Sequence, residues 1–135
     1  MIADELRGRT RQFALDVIAL CLTVGSNDVA RTIKAQLVRS ATGVASNYRA
    51  ACRSRSAREF ASRLAVVVEE ADESELWLDL LEANRLGPAP GVGRLRQEAV
   101  ELRAILARSR STTLDRLRAA TRRPPTRKSP SAQSQ

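Results

Sequence analysis

Residues 56–86 read SAREFASRLAVVVEEADESELWLDLLEANRL, and this stretch decides the fold. It opens on Ser56-Ala57-Arg58-Glu59, a capping box in which Ser56 and Glu59 answer each other's orphan backbone N–H groups. From there Ala57, Phe60, Leu64, Val67, Ala71, Ser74, Leu78 and Leu81 step by three and four. That spacing puts them on one helix face, packed along its length against other helices. Leu86-Gly87-Pro88 ends the run, with Gly87 suited to a left-handed cap and Pro88 unable to continue the helix. A helix of about thirty residues spans roughly 45 Å. It is too long to stand without partners of similar length.

The rest of the chain supplies those partners. Upstream, Leu6, Thr10, Phe13, Val17, Leu20 and Val24 form the stripe of a helix over Asp4–Val24, widened by Ala14, Ile18 and Cys21. Gly25 stops it, and Ser26 or Asn27 can cap the next helix, with Asp28 at the positive end of its dipole. That second helix runs to Arg53 with Val29, Ile33, Leu37, Val44, Tyr48 and Ala51 as its apolar stripe. Beside the stripe lie the small or polar residues Gln36, Ser40, Gly43 and Asn47. Gly43 inside a helix costs about 1 kcal/mol relative to Ala, so close backbone approach across a tight seam is the expected compensation. Downstream of the breakers Gly87-Pro88-Ala89-Pro90-Gly91, a fourth helix over Val92–Arg110 carries Val92, Leu95, Ala99, Leu102 and Leu106. Leu114 and Leu117 could extend it, although the surrounding Ser and Thr weaken an extension. The expectation is an all-α, antiparallel up-down-up-down four-helix bundle over residues 1–112. Residues 113–135 should be a basic, mostly disordered tail, with TRRPPTRKSPSAQSQ from Thr121 lacking any apolar period.

The short link Ser54-Arg55 makes the second and third helices antiparallel neighbours, which fixes an approximate register. Arg39 then faces Glu70 and Glu73, and Ile33 faces Trp77. The expected polar seam is Arg39, Asn47, Glu70, Glu73 and Trp77, with the ion pair setting register more than adding stability. The same register logic puts Cys21 and Cys52 at opposite ends of an antiparallel pair, roughly 30 Å apart on the helical rise and beyond disulfide reach.

Charge narrows the function classes. The formal net charge is +8, and beyond Thr112 six basic residues face the single acid Asp115. Arg122, Arg123, Arg127 and Lys128 in this tail suit an anionic partner, nucleic acid first. The same composition also describes a solubilising end. Arg49, Arg53, Arg55, Arg58 and Arg63 gather near the turn between the second and third helices, while the later half of the third helix is acidic. Phosphate binding is one reading of that patch. Salt bridging to Glu59, or to the acidic surface of a second copy, is the other.

Catalysis and metal binding lack their usual carriers. There is no histidine, hence neither the commonest general base nor the commonest metal ligand. Glu69, Glu70, Asp72, Glu73, Glu75, Asp79 and Glu82 all lie on one helix, whereas a bundle-core di-metal site draws carboxylates from several. No cofactor and no small-molecule substrate is expected. The acidic start and the absence of an apolar run of ~20 residues predict neither secretory signal nor membrane span, hence a cytoplasmic protein.

Several pieces in order, Gln36-Leu37-Val38-Arg39-Ser40-Ala41, Ser46-Asn47-Tyr48-Arg49-Ala50-Ala51, Glu59-Phe60, Glu70-Ala71-Asp72-Glu73 and Trp77-Leu78, with Phe13-Ala14 upstream, carry a family resemblance. Over roughly Gln12–Arg108 the chain resembles the 23S rRNA intervening-sequence protein family. The resemblance implies an antiparallel four-helix bundle, ring-shaped homopentamers and no catalytic activity. It also implies a distant likeness to accessory proteins of reverse transcriptases that bind nucleic acid and the enzyme. The expected function is a non-enzymatic, self-assembling bundle that binds RNA or DNA through basic residues. The alternative is an interaction scaffold or accessory subunit that binds no nucleic acid.

Overall fold

The computed structural model describes residues 3–122, which form four helices: α1 (Ala3–Cys21), α2 (Asp28–Ala51), α3 (Ala57–Ala83) and α4 (Ala89–Arg122). Each packs beside the next, and α1 also touches α4, so α1 and α3 stand diagonally across the bundle. The up-down-up-down order gives the molecule two chemically different ends. One holds the start of α1, the α2–α3 turn and the last turns of α4. The other holds the α1–α2 and α3–α4 loops.

The apolar stripes meet as their spacing requires. Phe13, Val17, Leu37, Val44, Leu64, Val67, Leu78, Leu81, Leu102 and Leu106 are fully buried in one continuous core. Three stripe members face elsewhere. Val29 is 62% exposed, Ile18 lies on the outer face of α1, and Ala57 is exposed at the first position of α3. Ala30 and Ala61 fill core positions in α2 and α3 instead; Ala30 keeps the heptad phase of Leu37, Val44 and Ala51, and Val29 lies one residue off it.

The helix ends show which side chains satisfy the orphan backbone groups. Asn27 caps α2, its side chain accepting from Ala30 N–H at 2.8 Å. Ser56 Oγ accepts from Glu59 N–H at 3.1 Å. The return bond of the expected capping box lands one residue early: Glu59 Oε2 accepts from Arg55 N–H at 3.1 Å. At its far end α3 stops at Ala83, short of Leu86, and Arg85 rather than Gly87 takes the left-handed capping position, with φ 53°. Leu86 N–H reaches back to Leu81 O at 2.9 Å, which closes a Schellman turn. Gly87 also has positive φ, 81°, and a Cβ there would lie 2.9 Å from Val24 Cγ2. The glycine is needed for the close approach of the two loops as well as for its backbone angle.

Helix α4 departs most from expectation. It begins at Ala89, before Val92, because Pro88 O already accepts from Val92 N–H. It also continues unbroken to Arg122, so the boundary expected after residue 112 falls inside a helix. Leu114 and Leu117 are half-buried and carry the stripe onward. The hydroxyls of Thr113 and Thr121 donate to Ser109 O and Arg118 O within the helix, so these residues do not draw the backbone out of it. Thr121 and Arg122 were expected to be disordered and are helical; Arg123, Arg127 and Lys128 lie outside the described residues.

Candidate nucleic-acid interface

The α2–α3 seam is the most specific polar contact of the core. Ser74 Oγ meets Ser40 Oγ at 2.9 Å, both side chains fully buried. Gly43 lies opposite Glu70, where a Cβ would come within 3.0 Å of the carboxylate. The expected close approach at Gly43 is thus made by a side chain and not by backbone. Arg39 contacts Glu73 directly and lies 3.7 Å from Glu70 Oε2. Trp77 Nε1 donates to the same Glu73 oxygen at 3.4 Å, and Arg39 Nε donates to Gln36 Oε1 at 3.1 Å. Asn47 stands one turn away in a shallow hollow with Ala50, Arg63 and Val66, and makes no hydrogen bond to the seam among the described residues. Burial raises the Glu70 carboxyl above the usual carboxylate range; Glu73 adds to this and Arg39 opposes it. Oε2 of Glu70 is enclosed and accepts no hydrogen bond. Nothing in this constellation supplies a nucleophile beside a base. Among the described residues no group of three or more Cys, Asp or Glu is placed to hold a metal ion.

The arginines organise the surface. Those near the acidic stretches are tied down: Arg9 to Glu98 and Glu101, Arg96 to Glu82, and Arg103 to Asp72 and Glu75. The hydrogen bond that Arg9 donates to Glu98 raises its pKa above the ordinary value. At the α2–α3 turn Arg63 is also engaged, pairing with Glu59 and donating to Ala50 O at 2.8 Å. Arg49, Arg53, Arg55 and Arg58 differ. They are exposed and form no ion pair among the described residues. Arg110 anchors α4 beside them through Ala61 O. From there to Arg122 the helix rises roughly 18 Å, so its last turns stand past the start of α3. Arg116 and Arg122 on these turns are exposed and unpaired among the described residues. The fold therefore brings the turn arginines and the first part of the basic tail, two separate features of the sequence, to the same end.

That end also has residues the sequence reading overlooked. Arg7 and Arg11 of α1 line a groove against Arg49 of α2 and Arg53 of the α2–α3 turn, over a floor of Gly8, Ala14, Thr42, Ala45 and Ser46. The groove encloses about 520 Å³. Arg7 contacts Asp4; Arg11 forms no ion pair among the described residues. The i, i+4 spacing of Arg7 and Arg11, combined with antiparallel packing of α1 on α2, was the signal available for finding it. Tyr48 close by is buried, and burial, followed by contact with the Cys52 thiol, pushes its hydroxyl pKa up.

The family described as 23S rRNA-intervening sequence protein matches residues 5–108. The chain belongs to that family. The match covers α1 from Glu5, all of α2 and α3, and α4 as far as Arg108, leaving the protruding turns outside. A crystal structure of a protein of unknown function from the S23 ribosomal protein family of Bacteroides thetaiotaomicron has the same fold. It is 23% identical, with a TM-score of 0.69 over 75% of this chain and 94% of that one. No curated protein matches this intervening-sequence family member. No helix among the described residues is long and apolar enough to cross a membrane.

Proposed function

We propose that this intervening-sequence family member is a non-enzymatic RNA-binding bundle that works as an assembly of its own copies. One observation carries the RNA reading: unpaired arginines from α1, the α2–α3 turn and α4 collect at one end of the bundle, away from the acids of the later half of α3. Cations without carboxylate partners at a surface attract phosphate and release its counterions. The family's name, which refers to 23S rRNA, favours RNA over DNA. The described part of this end has no exposed aromatic side chain on which bases could stack, so the contacts are to backbone phosphates and carry little sequence preference.

Self-assembly is supported by a second surface. Leu15, Ile18 and Leu22 fall on the outer face of α1 and remain exposed, Leu22 by 83%. On the diagonally opposite helix Leu76 is 50% exposed between Asp72 and Asp79. Faces on opposite sides of one subunit suit a head-to-tail contact, which closes into a ring when the rotation permits; a homopentamer is the ring we propose.

Both halves are tested on the full chain. Fluorescence anisotropy with labelled RNA and with DNA of the same sequence, over a salt series, should give affinity falling steeply with salt. Arg55→Gln with Arg58→Gln should lower the log–log slope by about 1.4 for single strands. Absence of RNA binding at low salt would leave the scaffold alternative, in which the charges serve assembly and solubility. Light-scattering mass should be five times that of the chain; a monomer would refute the assembly.

A further inference from the structure

We propose that the groove between α1 and α2 seats the sugar-phosphate backbone of the bound RNA, with Arg11 and Arg49 as its phosphate ligands. This rests on the RNA reading above and adds to it a site and two roles. Three features of the groove argue for a phosphodiester chain. No carboxylate lines it, whereas the hollow on the other half of α1 holds Asp16 and the one between α3 and α4 holds Asp72, Glu75 and Asp79. Its floor is cut low by Gly8 and Ala45, and a Cβ at Gly8 would meet nothing within 4 Å, so a ligand backbone can come close to the helices. Its walls carry arginines four residues apart on both sides, Arg7 with Arg11 on α1 and Arg49 of α2 with Arg53 of the following turn. Between Arg7 and Arg11 the helix rises roughly 6 Å, close to the step between successive phosphates along a strand.

The charges available for a ligand are specific. Asp4 already engages Arg7, which leaves Arg11 on one wall and Arg49 and Arg53 on the other. All three are exposed and make no ion pair among the described residues. A guanidinium grips phosphate through two parallel N–H donors, so facing arginines can clamp a strand lying along the groove. Arg53 continues this line towards Arg55 and Arg58 at the turn. The groove thus feeds the basic end rather than forming a separate site.

The test uses full-length protein and a labelled single-stranded RNA, read by anisotropy across a salt series. Arg11→Gln with Arg49→Gln removes one ligand from each wall. Arg31→Gln with Arg94→Gln removes the same charge from exposed positions at the far end. Ser46→Glu places a carboxylate on the groove floor. The groove pair should lower the log–log salt slope by about 1.4, the far-end pair should leave it unchanged, and Ser46→Glu should weaken binding without changing the thermal midpoint. Equal slopes in the two double variants would overturn the groove and leave RNA binding by the turn arginines intact. No RNA binding by the unmodified chain would overturn the parent reading together with the groove. Displacement of RNA by polyglutamate at equal charge concentration would show a seat for any polyanion and overturn the RNA assignment.

Discussion

Replacing Gly43 by alanine tests the α2–α3 seam, because two opposing effects of known size meet there. Alanine in a helix interior is favoured over glycine by about 1 kcal/mol. Against this, the new Cβ would lie 3.0 Å from Cδ and Oε2 of Glu70 and 3.4 Å from its Cγ, so the side chain must move. What it gives up is modest: its approach to Arg39 is 3.7 Å, and Arg39 is half exposed and keeps its direct contact with Glu73. A pair of that kind is worth about 0–1 kcal/mol. What it gains is access to water for Oε2, which is enclosed without a hydrogen bond; such an atom typically costs about 1–3 kcal/mol. The terms sum to stabilisation of Gly43→Ala by about 1–4 kcal/mol, a rise in thermal midpoint of at least roughly 4 °C for a chain of this size. Urea unfolding measures the free energy, and carbon-detected NMR titration of the Glu70 carboxyl gives the second readout. Its pKa should fall back towards the ordinary range as the group leaves its enclosure. Destabilisation by 1 kcal/mol or more, with the Glu70 pKa still raised, would refute the reasoning, since the carboxylate would then be held where it is.

Three further outcomes follow from the structure. Gly87→Ala should destabilise by about 2–4 kcal/mol, combining a left-handed backbone angle with a Cβ 2.9 Å from Val24. Gly91→Ala, whose Cβ would sit at an ordinary 3.6 Å from Leu20, should be neutral or stabilising by up to about 1 kcal/mol in parallel denaturant curves. Glu70→Gln should change how stability depends on pH. The Glu70 carboxyl is raised in the folded chain, chiefly by burial, so between the unfolded and folded pKa values the folded state holds the extra proton. Stability contributed by that proton is full below the ordinary carboxylate range and is lost as pH rises through the folded value. The glutamine variant should lack this loss, so its stability relative to the parent should rise across that window; parallel curves in thermal unfolding from acid to neutral pH would contradict it.

Periodicity was enough to read the bundle, because core burial follows i, i+3, i+4 spacing wherever a helix is flanked along its length. Leu6 to Val24, Ile33 to Ala51, Leu64 to Leu81 and Val92 to Leu106 all reach the core as spaced. Spacing was less informative at the ends. Val29 sits four residues before Ile33, but Ala30 holds the phase of Leu37, Val44 and Ala51 and takes the buried position, which leaves Val29 exposed. Arg85 could not be singled out as the left-handed cap while Gly87 stood two residues on, because the glycine has its own close approach to Val24. The reach of α4 to Arg122 was obscured by Ser and Thr residues whose hydroxyls turn inward on the helix. At the candidate site, the turn arginines were legible as a cluster in sequence. Arg7 and Arg11 were not, since only the pairing of the start of α1 with the end of α2 sets them beside Arg49 and Arg53.

The outer face of α1 links the two proposed activities. Its later half presents Leu15 and Ile18, with Leu22 just past its end, and its earlier half presents Arg7, Gly8 and Arg11. One helix thus carries both an apolar strip and a basic wall, the faces the two proposals need, separated along its length rather than around it. In a ring whose axis runs parallel to the helices, every copy turns its arginine-rich end to the same side. Under the RNA reading, a single end would engage a few phosphates and lose most of its affinity at moderate salt. Copies held on one face act on a single strand at high effective concentration. Substitutions at Leu15, Ile18 and Leu22 that break the assembly should then weaken RNA binding while leaving every arginine in place.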